Sequence, residues 1–254
     1  MSKKGSYRQK HIAASGEQDS LSSGIMNPVI AAEHKIAFEE GKVILIDKPL
    51  HWTSFDVVRK IRGAIRIKKV GHAGTLDPLA TGLLILCTGK FTKKINEYMA
   101  QVKEYTGSFT LGAVTPTYDL ESHPEKFKDI NGITEKIIFN TTTKFLGEID
   151  QVPPIYSAIK KKGTPLYELA RRGEEVELQP RKIYIHSFEI TGIQLPLVEF
   201  KIVCSTGTYI RSIAHDFGAA LGCGAYLSSL RRTAIGDFKV EVAETVESFL
   251  QTLN

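Results

Sequence analysis

Cysteine is scarce in this chain. Cys87, Cys204 and Cys223 are the only three in 254 residues, and no two of them form a C-x-x-C pair. That spacing argues against a zinc site and against a disulfide framework, and it fits a reducing cytoplasm. No apolar run approaches the roughly 20 residues of a membrane-spanning helix. The N-terminus lacks an apolar signal region, which argues against secretion. Charge bias is slight as well. A net charge of +5 and a pI of 8.9 point only weakly to a polyanionic partner. With 42% hydrophobic residues, the chain is an ordinary globular sequence, long enough for one large domain or two small ones.

The most informative shortage is local. Residues 73–89 hold one charge in seventeen positions, in a chain that is 24% charged overall. That charge is Asp77, within Gly71-His72-Ala73-Gly74-Thr75-Leu76-Asp77-Pro78-Leu79-Ala80-Thr81-Gly82. A carboxylate away from water costs several kcal/mol unless a cation or hydrogen bonds compensate. Pro78 pushes Asp77 out of the helical region, and the glycines allow tight turns or close approach of another backbone. Such a residue is either a turn-forming Asp or a placed nucleophile or acid/base.

Basic residues gather in clusters. Arg59, Lys60, Arg62, Arg66, Lys68 and Lys69 crowd one segment; Lys160 to Lys162, Arg171 with Arg172, Arg181 with Lys182, and Arg231 with Arg232 form others. One such cluster is a solvated face; several in one domain point towards nucleic acid.

Residues 1 to 40 are polar and read as a flexible or partly helical extension, with a short helix near Pro28 to Phe38. Order is expected from residue 41 to 254. A strand at Lys42 to Asp47 closes at Lys48-Pro49. Thr53 or Ser54 then caps a helix with the stripe Val57, Val58, Ile61 and Ile65. Further strands are predicted at Leu83 to Cys87, Tyr105 to Leu111, Ile183 to Ile190, Val198 to Cys204 and Asp237 to Val242. Helices are predicted at Lys93 to Gln101, Thr134 to Phe145 and Leu166 to Arg172, and from Thr208 with Ile210, Ile213, Ala214, Phe217 and Leu221 buried. The irregular mixture, without a βαβ repeat, predicts an α+β fold around a largely antiparallel sheet.

Arg211 falls in the first turn of that last helix, where the macrodipole disfavours a cation. It either snorkels to the surface or pairs with a carboxylate, and Asp77 is the candidate. Tyr105 is a core aromatic or a platform for a nucleobase. His72 lacks partners at metal-ligand spacing, but an imidazole on a small-residue loop could stack on or displace a base. Gly82 to Lys90 has the wrong spacing for a phosphate loop. Gly222-Cys223-Gly224 lacks the third glycine of a dinucleotide fingerprint. Ser157 and Ser205 have no His partner, which argues against a serine hydrolase.

With these residues in view, the chain resembles the TruB-type tRNA pseudouridine-55 synthases. The matching segments run from Leu45-Ile46-Asp47-Lys48-Pro49 through the Asp77 loop and Lys103-Glu104-Tyr105. They continue through Gln151-Val152-Pro153-Pro154 and Gly207-Thr208-Tyr209-Ile210-Arg211 to Leu221-Gly222-Cys223-Gly224-Ala225 and Leu230-Arg231-Arg232. The resemblance implies the pseudouridine synthase fold, a central mixed sheet flanked by helices and loops. It also implies a cofactor-free, metal-free isomerase that flips uridine-55 out of the TΨC arm of tRNA, detaches it and rejoins it through carbon. Opening the tRNA elbow would allow an accompanying tRNA-folding activity. By the same resemblance Asp77 is the catalytic carboxylate, Tyr105 stacks on the flipped uracil, and Arg211 partners Asp77. His72 fills the vacated space, and Tyr209 and Leu230 line the pocket. Lys48, Arg59 and Arg62 are expected among the substrate-binding residues, and a cytoplasmic monomer is expected. The segment Thr115 to Ser122 fits the family loop at Asp119 but lacks a glycine usual a few residues later. Many relatives add a C-terminal RNA-binding module of the PUA type; in this chain that module is expected to be absent or truncated. Two other readings share these residues: an RNA-binding protein without catalysis, and a glycosylase that releases free base.

Overall fold

The computed structural model describes residues 35–157, 160–161, 163–173, 176 and 178–253. Residues 35–40 are helical, and Phe38 packs edge-on against Phe249 in the core, ring centroids 6.4 Å apart. Core packing therefore begins ahead of the expected boundary at residue 41; the earlier part of the helix expected from Pro28 lies outside the described residues. Strand β1 (Val43–Lys48) leads to helix α1 (Ser54–Ile65). Thr53 caps α1 through a reciprocal capping box with Asp56, and Val57, Val58, Ile61 and Ile65 are buried, as their spacing predicts.

The chain continues through β2 (Val70–Ala73), β3 (Ala80–Thr88), α2 (Ile95–Met99), β4 (Lys103–Leu111), α3 (Glu135–Thr142) and β5 (Gly147–Gln151). A two-residue hairpin, β6 (Lys160–Lys161) and β7 (Thr164–Pro165), precedes α4 (Leu166–Arg171). Then come β8 (Arg181–Gln194), β9 (Leu197–Cys204), α5 (Ile210–Leu221), β10 (Ala225–Ile235), β11 (Phe238–Lys239), β12 (Glu244–Thr245) and α6 (Val246–Gln251). One ten-stranded sheet runs β12-β1-β3-β10-β4-β9-β8-β5, with β2 beside β3 and β11 beside β10. The pairs β1/β12 and β3/β10 are parallel and the others antiparallel, so the sheet is mixed and largely antiparallel, as expected for an α+β fold.

Three apolar clusters hold the helices on the sheet. Phe109 of β4 stacks on Phe200 of β9 at 4.2 Å and meets Phe217 of α5 at 5.6 Å. Ile46, Ile61 and Leu84 anchor the second cluster, under α1 and α6. Fully burying each of these side chains is worth about 1.5–3 kcal/mol.

The sequence pattern assigns no strand to residues 225–235, yet β10 is eleven residues long and central. Its register against β4 shifts between Leu227 and Ser229 and again between Arg232 and Ala234. Each irregularity breaks the period-two alternation by which a strand is recognised. Strand β5 is also unassigned by pattern; its residues are partly exposed edge positions apart from Gln151. The helix expected at Lys93 to Gln101 is a 3₁₀ turn (Gly89–Lys94) followed by the short α2. The strand expected to reach Val242 stops at Lys239 and becomes a 3₁₀ turn at Val240–Val242.

Gly82 has φ +102°, and a Cβ there would lie 2.3 Å from the Arg232 carbonyl oxygen across the β3/β10 pairing. Gly82→Ala is expected to destabilise the protein by about 1–3 kcal/mol from backbone conformation alone, measured by urea denaturation.

Candidate functional site

Asp77 sits in the loop between β2 and β3, and neighbouring elements hold that loop on both sides of it. Ser54, the first residue of α1, donates its hydroxyl to the Leu76 carbonyl at 3.1 Å and accepts the Leu76 N–H at 2.8 Å. The His51 N–H donates to the Pro78 carbonyl at 2.8 Å, and the Ala80 N–H donates to the Asp77 carbonyl at 3.0 Å. From below, Arg232 donates Nη2 to the Gly74 carbonyl at 2.9 Å and Nε to the Leu83 carbonyl at 2.8 Å. The parallel β3/β10 register, Leu230 opposite Ala80 and Arg232 opposite Gly82, carries these two residues to the loop.

Arg211 enters from the first turn of α5. That turn is held by Gln151 of β5, whose Oε1 accepts the Tyr209 N–H at 2.8 Å and whose Nε2 donates to the Tyr209 carbonyl at 3.1 Å. The Arg211 side chain is 5% exposed; its Nε lies 3.0 Å from Asp77 Oδ2 and 3.6 Å from Asp119 Oδ2. Its terminal nitrogens donate to the Thr117 and Tyr156 carbonyls at 3.2 and 2.9 Å. Two carboxylates and two carbonyls thus compensate a buried cation at a helix end whose dipole opposes it.

The Asp77 side chain keeps 39% of its surface, which opens into a cleft of about 260 Å³. The carboxylate is therefore closed on its protein side and accessible from the cleft, less desolvated than the sequence suggested. Burial raises its pKa above the ordinary carboxylate value. Arg211 pulls it back down, Asp119 adds to the rise, and Lys48 opposes it. Tyr105 of β4 is 8% exposed and faces Arg232 across β4/β10; burial raises its phenol, and the Arg232 guanidinium hydrogen-bonded to it acts the other way.

Asp77, Tyr105, Tyr209, Arg211 and Leu230 line this one cleft. His72 does not. It lies on β2 with Nε2 3.1 Å from the Thr75 hydroxyl, and burial and Arg232 lower its pKa. Lys48 is fully buried under the loop and donates Nζ to the Pro49 and Trp52 carbonyls at 2.9 and 2.5 Å; desolvation brings it down to about 8. It has no surface left for a ligand, so the expected substrate contact becomes a buried support. Arg59 stands on the outer face of α1 beside Asp56 at 2.8 Å, with Arg62 on the same helix, away from the cleft.

The basic clusters divide. Arg231 is tied to Asp47 through 3.0 and 2.6 Å bonds while its side chain stays part-exposed, and Arg232 is buried, so the pair splits between an ion-paired surface arginine and a structural one. Arg181, by contrast, lines the cleft; its guanidinium lies over the Tyr209 ring at 4.6 Å and bonds the Gly207 carbonyl. Its sequence signal is only the basic pair with Lys182. Lys103 also lines the cleft, lowered to about 8 by burial. Asp119, which sequence pattern does not mark as a site residue, is the second carboxylate on Arg211. Of the cations that line the cleft, Arg211 is paired with Asp77 and Asp119, and Lys103 and Arg232 are buried and donate to backbone carbonyls, which leaves Arg181 the least buried. No group of His, Cys, Asp and Glu among the described residues has the arrangement of a metal site.

Residues 62–210 match the family model described as TruB family pseudouridylate synthase (N terminal domain), and residues 211–254 match that of the tRNA pseudouridylate synthase B C-terminal domain. The protein named tRNA pseudouridine synthase B of Flavobacterium johnsoniae is 55% identical over 221 residues, covering 84% of this chain and 96% of its own length. Its namesake from Phocaeicola vulgatus is 47% identical over 223 residues, covering 85% and 95%. Among solved structures, a chain in the crystal structure of a Cbf5-Nop10-Gar1 complex superposes with TM-score 0.67 at 31% identity, covering 86% of this chain and 56% of that one. A chain in the structure of an H/ACA RNP bound to a substrate RNA containing 2'-deoxyuridine gives TM-score 0.64 at 29% identity, covering 87% and 55%. This chain thus spans little more than half of those solved chains.

Ser54→Ala leaves the buried Leu76 N–H without a partner. It is expected to cost about 1–3 kcal/mol of stability by denaturant titration.

Proposed function

The chain belongs to the TruB family of pseudouridine synthases, and from that premise we propose that it isomerises uridine-55 in the T-arm of tRNA to pseudouridine in the cytoplasm, with Asp77 as the catalytic carboxylate. The observation that carries this reading is the Asp77–Arg211 ion pair, 3.0 Å long, at the floor of a cleft of about 260 Å³. That volume lies below the roughly 300–1,000 Å³ of drug-sized sites and suits a single everted pyrimidine. The reaction breaks the N1–C1′ bond, forms a C5–C1′ bond, loses the C5 proton to solvent and leaves a proton on N1. It is redox-neutral and needs no co-reactant.

Within a folded T-loop the reacting atoms are inaccessible, so the base leaves the stack at a cost of a few kcal/mol. Stacking on the Tyr105 ring offsets that cost by about 1–3 kcal/mol. Tyr209 and Leu230 close the walls, and Arg181, the least buried cation of the cleft lining, serves a flanking phosphate. His72, at the base of the loop, is the residue to fill the space the uracil leaves. Arg211 keeps Asp77 ionised and aimed towards the cleft. The same placement serves attack on the sugar, attack on the ring, or removal of a sugar proton. Residues 41–254, with the helical segment at 35–40 packed on them, are read as the catalytic unit, acting as a monomer.

Asp77→Asn is expected to fold and bind tRNA but release no tritium from C5-labelled uridine in a T-arm transcript; undiminished release rejects the role. Chromatographic detection of free uracil instead of pseudouridine would favour a glycosylase. The pH profile follows from the direction of the Asp77 shift. Because its pKa is raised in the folded protein, the active carboxylate is lost on acidification before a free Asp would be. The acid limb of kcat/KM is therefore expected to have its midpoint above 3.8. Reversing Arg59 and Arg62 to Glu is expected to weaken tRNA binding and flatten its salt dependence, read from affinities across a chloride series.

A further inference from the structure

A concentration of positive charge outside the cleft remains unused by this chemistry. A second cavity, of about 440 Å³, lies between the helical segment at 35–40, the turn from α1 into β2, and the 3₁₀ turn after β3. Lys35, Arg66, Lys68, Lys69 and Lys90 line it, with Glu39 the only acid among its lining residues. Lys90 is held by Glu40 at 2.6 Å.

The walls are built rather than adventitious. The Gly89 N–H donates to the Lys69 carbonyl at 2.8 Å, and the Thr88 hydroxyl donates to the Phe38 carbonyl at 2.8 Å while accepting the Lys42 N–H at 2.9 Å. Gly89 has φ +50°, and a Cβ on it would lie 2.0 Å from the Glu39 carbonyl oxygen, so the turn closes directly onto the helical segment. Arg66 ends α1 in the left-handed region at φ 55°, ψ 36°, where glycine is usual. An arginine kept in that conformation, beside four lysines, places like charges together in a concave, hydrogen-bonded frame. Like charges gathered around a concave frame raise the local positive potential, and a phosphodiester is an anion that meets it.

Its location decides which anion. Strand β2 leads from Lys69 directly into the Asp77 loop, four residues of about 3.3 Å each. The cavity therefore lies about 13 Å along the sheet from the catalytic loop, within reach of one RNA molecule. We infer that this cavity is a second anchoring site, holding a backbone phosphate of the tRNA remote from the flipped uridine. The inference rests on the RNA-modifying activity proposed above.

The test compares the full chain with Lys68→Glu/Lys69→Glu and with Lys68→Gln/Lys69→Gln, each checked for an unchanged thermal transition. The charge-reversed pair is expected to bind tRNA roughly tenfold more weakly at moderate salt. The slope of log affinity against log salt is expected to shrink by about 0.7–0.9 for each phosphate that is no longer neutralised, with the effect on KM and not on kcat. The neutral pair is expected to change in the same direction by less, and it decides the matter if the reversed pair does not fold. Slopes unchanged in folded variants overturn the inference. Inorganic phosphate is added in a second arm, at ionic strength matched with chloride. Its preferential competition against tRNA on the unaltered chain, abolished in the variants, supports the site. Phosphate binding that the variants lack while their tRNA slopes stay unchanged marks a small-anion site and overturns the RNA assignment. If the unaltered chain releases no tritium yet the slopes shift, the activity fails while the anchoring site stands.

Discussion

A buried guanidinium shared between two carboxylates is the constraint on which the rest of this structure depends. Arg211 stands at the wrong end of a helix for a cation and almost out of water. Removing one partner from a buried pair typically costs about 3–5 kcal/mol, because the remaining charge is left without compensation. Asp77 and Asp119 are therefore tied to Arg211 and, through it, to each other and to the start of α5. The Asp77 loop, the loop carrying Asp119 and the helix cannot move independently. The Asp77 carboxylate is thereby aimed by electrostatics that the fold requires anyway.

Around that ion pair, most polar groups serve to hold backbone. Ser54, Arg232 and Gln151 each satisfy backbone carbonyls or N–H groups at the edges of the site, and Lys48 does the same beneath it. Such bonds contribute about 0.5–1.5 kcal/mol each, yet leaving one unmade costs more. The loop thus gains a single geometry from several modest interactions. Only the cleft-facing edges of Asp77, Tyr105 and Arg181 are left for a ligand, which is how a preorganised site differs from a merely basic surface.

The positive charge of the chain serves two ends that composition cannot separate. Arg231 and Arg232 are adjacent in a central strand; one closes an ion pair with Asp47 and the other is enclosed beneath the Asp77 loop. Lys68 and Lys69, equally adjacent, stay exposed. In sequence the two pairs look alike. Strand β10 is central where the turn after α1 is peripheral, and that difference determines whether a guanidinium or ammonium meets carbonyls or solvent.

Much was legible in one dimension. The isolation of Asp77, its proline and flanking glycines, the stripe and cap of α1, and the alternation of β4 and β9 are local patterns, and local physics made them readable. The pairing of Arg211 with Asp77 was also within reach, because a cation in an apolar first turn demands an anion. What pattern could not supply were the interactions that span the chain. These include the bulged β10, whose irregular register erases its own periodicity, the part of Asp119 in the ion-pair network, the burial of Lys48, and the recruitment of Arg181 to the cleft. Residue type and spacing by themselves determined which functional groups this protein has at hand, because a carboxylate, a phenol and a guanidinium are fixed by the covalent chain, while their environment tunes how they react. Only the tertiary structure decided which of its many charged groups face a ligand, because burial and strand order are set by pairings between residues far apart along the chain.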